Sequence, residues 1–284
     1  MSNRVFEKGR QGFADGSIDW DTQNIKAVLV DLHDADTMVK AITGATNATP
    51  IAVECTGHSF ANGDIVVIGG VTGNTAANGT WKVSNQSTNN FDLVTLDGLN
   101  STGNGAFSAS GWVINLTGAD NLDDINAGVV ATSGNMGTKT VADGVIGCAD
   151  FSLTTVSGDQ CEALVWYYDS GSPATSRLIF FNDGKTRVAV ASDALISATT
   201  LWIEPLERNL AAGTTIVLSN GVTATLSAPA TAGARSLAVN ALSAAVAAGH
   251  SGDAAYTGSG LPITPNGNDI SVAINTGVNK LFKL

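Results

Sequence analysis

The sequence predicts a mainly β protein, built as a discontinuous β-sandwich or barrel-like core domain with one short N-terminal helix and two small inserted β domains. Three observations lead there. Short runs of β-branched and apolar residues are separated by Asn-Gly, Gly-Gly and Asp-Gly pairs, which are strong turn signals. The chain is 44% hydrophobic but only 14% charged, about half the usual charged share, so its surface is built from Thr, Ser, Asn and Gly. The texture also changes abruptly twice along the chain. These changes delimit core segments at residues 1–41, 114–185 and 259–284 and inserts at 42–113 and 186–258.

The first element is predicted as a short amphipathic helix over Asn3 to Asp15. Asn3 is its candidate N-cap, Phe6 and Phe13 lie seven apart on one face, and Gly16 is its stop. Asn24-Ile-Lys-Ala-Val-Leu-Val-Asp31 follows as a strand. In the first insert, Ile51–Cys55, Asp64–Ile68, Thr80–Val83 and Phe91–Leu96 are strands, and Asn62-Gly63, Gly69-Gly70, Asn78-Gly79 and Asp97-Gly98 are turns. Strands at this spacing build a small barrel or sandwich.

After Leu116 comes a helix-compatible stretch with Asp123 and Asp124, then strand texture from Gly144 to Thr155. Glu162-Ala-Leu-Val-Trp-Tyr-Tyr168 is apolar on both faces and reads as a central buried strand. Arg177–Phe181 reads as another, after a turn at Ser172-Pro173. In the second insert, Leu210–Leu218, Gly221–Leu226 and Arg235–Val239 are strands, while Leu242–Ala248 is Ala-rich and helical by composition alone. Leu210-Ala-Ala-Gly213 and Val246-Ala-Ala-Gly249 form two similar strand-entry loops. Asp269–Ile274 and Asn279–Leu284 resume the strand texture of the core.

Charge and composition exclude several functions. A formal net charge of −11 repels phosphate and argues against direct nucleic-acid binding. No apolar run approaches the roughly 20 residues of a spanning helix, so no membrane partner is expected. The opening Met1-Ser-Asn-Arg4 carries no signal peptide, so the expected site of synthesis is a cytoplasm. Cys55, Cys148 and Cys161 are far apart and form no Cys-x-x-Cys pair, so they are expected as buried free thiols rather than zinc or redox groups.

The remaining chemistry-bearing residues form no motif, and no catalytic residue, metal or cofactor is expected. His33 lies near Asp31, Asp34 and Asp36, but the run lacks the Gly and the distal Glu of a calcium-binding loop and is expected as a solvated turn. His58 is no part of a nucleophile elbow, because Ala61 stands where that motif needs Gly, and it is expected as a turn residue. His250 carries no partner pattern. Asp123 with Asp124, or Glu204 with Glu207, are candidate carboxylate pairs for glycoside hydrolysis, but sequence spacing does not place either pair across a sugar. Gly69-Gly70-Val-Thr-Gly73 and Gly103-Asn-Gly105 lack the Lys and Ser/Thr of a phosphate-binding loop. Of five tryptophans, Trp166 is expected in the core, and Trp20, between Asp19 and Asp21, as core edge or interface anchor.

Three separated blocks resemble a family of small tailed-phage virion proteins. They are Lys8-Gly-Arg10 with Phe13, Gly16, Ile18-Asp-Trp20 and Ile25–Val30; Val129–Gly134 with Lys139-Thr140 and Gly144-Val145; and Gly260–Gly267 with Asp269-Ile270, Asn275, Gly277 and Asn279–Leu284. The first insert is similar to the FCCH-type β module, named after the ubiquitin-activating enzyme, in Gly57-His58-Ser-Phe60, Asn62-Gly63-Asp64, Gly73-Asn74, Asn78-Gly79-Thr80 and Phe91-Asp-Leu93. No ubiquitin chemistry carries over, since no nucleotide site or catalytic-thiol context accompanies it. The second insert looks like another small β module of phage structural proteins.

The resemblance implies a structural, non-enzymatic role on the virion exterior, as a capsid decoration or cement protein. Its expected partners are the major capsid protein and further copies of itself. A tail-associated protein or host-surface glycan adhesin is the alternative. The candidate capsid or subunit contacts are Phe6, Phe13, Trp20, Leu281 and Phe282, because a helix face or a terminal strand can add to a neighbour.

Overall fold

A computed structural model of the chain describes residues 4–109, 111–274 and 281–283. It is mainly β, with one α-helix, a curled seven-stranded antiparallel sheet and several smaller sheets. The chain divides into two compact units: residues 1–39, 116–184 and 260–284 form one, and residues 40–115 and 185–259 form the other.

The first unit is organised by a four-stranded antiparallel sheet in the order Leu178–Asn182, Ala163–Tyr168, Ile25–Val30, Val129–Thr132. Its two inner strands are buried on both faces, as continuous apolar runs require. The register sets small residues against large ones, with Ala27 opposite Trp166 and Trp166 opposite Phe180. One face packs Ile25, Ala27, Leu29, Leu164 and Trp166 into a core with Met136, Ile146, Leu153 and Phe282. The helix spans Glu7–Asp15, later than the sequence placed it. Val5 bridges to Phe180 instead, and Phe6 is the N-cap, while Asn3 lies outside the described residues. Gly16 ends the helix in the left-handed conformation at φ 74°, as expected. Gly9 lets the helix approach the sheet: a Cβ there would lie 2.8 Å from the Leu178 carbonyl oxygen.

One other expectation in this unit changes. The Asp123-Asp124 stretch is a 3₁₀ turn, Leu122–Asp124, held by a reciprocal capping box between Asn121 and Asp124. The strand expected over Asn279–Leu284 is described at Phe282–Lys283, the rest of that expected strand lying outside the described residues apart from Leu281. Phe282–Lys283 pairs antiparallel with Val145–Gly147, which itself pairs with Thr140–Ala142.

The second unit begins with the seven-stranded sheet, in the order Val39–Ile42, Gly111–Asn115, Ile65–Gly69, Gly79–Ser84, Asn90–Val94, Ala52–Glu54, Gly44–Ala45. It closes around Ile51, Val53, Phe60, Val66, Ile68, Trp81, Phe91 and Leu93. All four expected turn dipeptides put their second residue at positive φ, at Gly63, Gly70, Gly79 and Gly98.

The rest of this unit is a quasi-repeat of four turns. Val190, Leu206, Leu226 and Leu242 are each followed, four residues on, by Ala194, Leu210, Ala230 and Val246, and three residues further by Ser197, Gly213, Gly233 and Gly249. The last member of each set is left-handed, at φ 66°, 81°, 89° and 86°. The turns pair two by two. Ala194 and Val246 exchange backbone hydrogen bonds, as do Leu210 and Ala230. The left-handed residues donate their N–H groups to Leu242, Leu226, Leu206 and Val190 respectively. All four leading aliphatic residues are buried in one core with Leu201, Ile216 and Leu237. The Ala-rich run Leu242–Ala248 is one of these turns and not a helix: Val246 is committed to Ala194 and Gly249 follows at once.

The two stretches of this unit meet. Thr80 Oγ1 donates to Asp253 Oδ2 at 2.9 Å, Thr102 N–H donates to the Ser219 carbonyl at 2.6 Å, and Val217 packs on the core of the seven-stranded sheet.

Candidate functional site

The residues proposed from sequence as contacts are mostly interior. Phe6, Trp20, Leu281 and Phe282 are buried, and Phe13 is half-buried against them. Phe282 stacks on Phe180 with centroids 4.8 Å apart and meets Trp20 edge-on at 5.9 Å. Trp20 also donates its indole N–H to the Gly147 carbonyl at 2.9 Å. These aromatics pack together in the core of the first unit. The physical reason is cohesion: a small aromatic cluster buries more area by closing on itself than by facing water.

The exposed large apolar side chains lie elsewhere. Trp202 is 56% exposed on the Thr200–Trp202 strand, and Leu195 and Ile196 protrude from the first of the four turns. Strand alternation turns Trp202 outward, since Leu201 beside it points into the core. The sequence itself carries no such signal, since Leu201, Trp202 and Ile203 form a continuous apolar run.

His58, expected as a turn residue, and His250, expected without a partner pattern, both have partners. His58 is buried, accepts the Phe60 N–H at Nδ1, and packs on the Phe60 and Phe91 rings. His250 Nδ1 lies 2.8 Å from Ser219 Oγ, and burial lowers its pKa. Ser219 is itself buried and accepts the Ser251 N–H, so this pair serves packing.

His33 has a different setting. The antiparallel pairing of Ile25–Val30 with Ala163–Tyr168 sets Val30 opposite Ala163, which brings Asp31, just past one strand, to Glu162, just before the other. Asp31 Oδ1 accepts the His33 N–H at 2.8 Å, and Glu162 Oε2 accepts the Leu32 N–H at 2.9 Å. His33 Nδ1 then sits 3.4 Å from each of those oxygens. The carboxylate side chains are 7% and 9% exposed and the imidazole 51%. Glu162 Oε1 is buried without a hydrogen-bond partner. Burial raises the Glu162 pKa, opposed by the Leu32 N–H and by His33 and reinforced by the Asp31 charge. The neighbouring Cys161 thiol is pushed up to about 12, first by burial and then by the Asp31, Glu162 and Asp159 carboxylates.

His33 lies in an exposed turn, as expected, and of its acidic sequence neighbours only Asp31 faces its ring. Asp34 is exposed, and Asp36 accepts the Thr37 and Ala127 N–H groups. Sequence reasoning missed Glu162 because only strand pairing brings it to residues 31–33. The candidate glycosidase carboxylates also have other settings. Asp124 accepts the N–H groups of Asp120 and Asn121 as a turn cap, and Glu204 is exposed beside Pro205.

No protein-family model matches the chain, and no curated protein matches its sequence.

Proposed function

We propose that this chain is a non-enzymatic structural protein of a tailed-bacteriophage particle, bound on the outside of the shell to the major capsid protein. The observation that carries the reading is the division of the chain. One unit is assembled from three segments that the chain leaves twice, and both excursions build the second unit. Excursions of that length persist where they leave from surface loops with neighbouring ends. On this reading the discontinuous unit is the anchoring part and the second unit is what it displays. The three-block sequence resemblance falls on the anchoring unit and supports the same assignment. A net charge of −11 suits an exterior position, away from packaged DNA. Repetition over many copies, including contacts between copies of this chain, turns modest contacts into shell reinforcement.

Trp202 favours a second reading, a tail-associated adhesin for host-surface glycan, because an exposed indole face is a stacking platform. Immunogold labelling of intact particles separates the two. Label spread over the head supports decoration. Label confined to the tail overturns it in favour of the adhesin, and particles without label overturn both.

A further inference from the structure

We infer that Asp31, His33 and Glu162 form a binding site for one divalent transition-metal ion of the zinc class. The site is independent of the proposed virion role. Each residue offers one ligand atom, and all three atoms lie within 4.8 Å of one another. The His33 Nδ1 distances of 3.4 Å to both carboxylates are long for hydrogen bonds, which cluster at about 2.7–3.2 Å. They equal the edge of a tetrahedron whose metal–ligand bonds are about 2.1 Å, roughly 3.4 Å.

The second observation is Glu162 Oε1. It is buried and has no hydrogen-bond partner, on the carboxylate whose other oxygen faces His33. A buried carboxylate oxygen left so is costly unless something not yet counted meets it. Two nearly buried carboxylates face a single imidazole, so a dication supplies the charge that one histidine does not.

The donor set selects the ion. Calcium takes about six to eight oxygens, more than two carboxylates offer here, and two of these oxygens already accept the His33 and Leu32 N–H groups. One imidazole nitrogen with two carboxylate oxygens suits zinc, with water as a fourth ligand entering on the half-exposed His33 side. Those two backbone bonds also hold the carboxylates in place, as second-shell donors do in metal sites. A bound ion would clamp the end of the Ile25–Val30 strand to the start of Ala163–Tyr168.

The test is zinc chloride titrated into the chelator-treated full chain by calorimetry, with His33→Ala and Glu162→Gln beside it. His33 is exposed enough for its replacement to leave the fold intact, and the Gln variant keeps an acceptor for the Leu32 N–H. Expected are one zinc per chain, a raised Tm, affinity at least about tenfold weaker in each variant, and no displacement by excess calcium. Binding weaker than about 0.1 mM overturns the site. So does affinity unchanged in His33→Ala, which would place the ion at another histidine. Displacement by calcium overturns the assignment to a zinc-class ion.

Discussion

The four-turn repeat of the second unit makes a prediction that isolates backbone conformation from packing. Gly213 and Gly233 hold φ of 81° and 89°, and a Cβ at either would meet nothing within 4 Å. Replacing either by Ala therefore adds no clash. The left-handed region costs an L-residue about 1–2 kcal/mol, and the stiffer unfolded chain returns about 0.4–1 kcal/mol. The net expectation is a loss of about 1 kcal/mol, or about a fivefold shift toward local unfolding. Gly249→Ala should cost more, because its Cβ would sit 3.0 Å from Leu99 Cδ1. Ser197 occupies the same place in the first turn at φ 66°, with its side chain in water. Ser197→Gly should run the other way and stabilise by several tenths to about 1 kcal/mol. Hydrogen-exchange mass spectrometry across a urea series, read on peptides from 190–255, reports this segment's stability by itself. A neutral Gly213→Ala, or a destabilising Ser197→Gly, would refute the idea that these left-handed residues set the turns.

Two further outcomes follow from the ionisable groups. Burial pushes the Cys55 thiol up to about 11 and the Cys148 and Cys161 thiols up to about 12, so the thiolate fraction at pH 8 is about one in a thousand or less. Ellman's reagent should find no fast thiol in the folded chain at pH 8 and all three in denaturant; prompt reaction of a folded thiol would contradict the burial argument. Lys26 bonds Asp169 at 2.6 Å and, with the Gly171 N–H, holds the Asp169 pKa below its ordinary 3.8. A depressed carboxylate contributes stability that is fully present above 3.8 and is lost as pH falls through the folded value. Wild type should therefore lose more stability than Lys26→Met between pH 5 and pH 2, and parallel acid unfolding curves would sink that assignment.

The strand-level fold was legible because its signals are local. Alternation and turn dipeptides mark the seven-stranded sheet, and the continuous apolar run before Tyr168 marks a strand covered on both sides. The helix start was misplaced for a tertiary reason. Val5 and Phe6 bond to the Leu178–Asn182 strand, so extended backbone displaces the first helical turn that their polar neighbours suggest. Apolar residues near either end of the chain look like anchors for a partner when only sequence neighbours are counted. In the fold, Trp20 and Phe282 are neighbours of each other, and an aromatic is exposed only where its own core has no use for it, as at Trp202.

The same distinction governs what sequence can say of sites. The four turns share a pattern of aliphatic residue, three spacers, aliphatic residue, two spacers and a left-handed residue. The unequal spacing between turns, and Ser197 in place of glycine, conceal it from a search for fixed-period repeats. Backbone pairing exposes it, because each left-handed N–H must find a carbonyl and finds the leading residue of its partner turn. Asp31, His33 and Glu162 are hidden in the same way. His33 was read with the acidic residues beside it in sequence, but strand register selects its neighbours. Val30 opposite Ala163 fixes Asp31 against Glu162 as firmly as covalent proximity fixes Asp31 near His33. A one-residue slip of that register would separate Asp31 from Glu162 and set Ala27 off Trp166, breaking the small-against-large packing of the two strands. The hydrophobic core of the first unit therefore also specifies the metal-ligand geometry, and disturbing one should disturb the other.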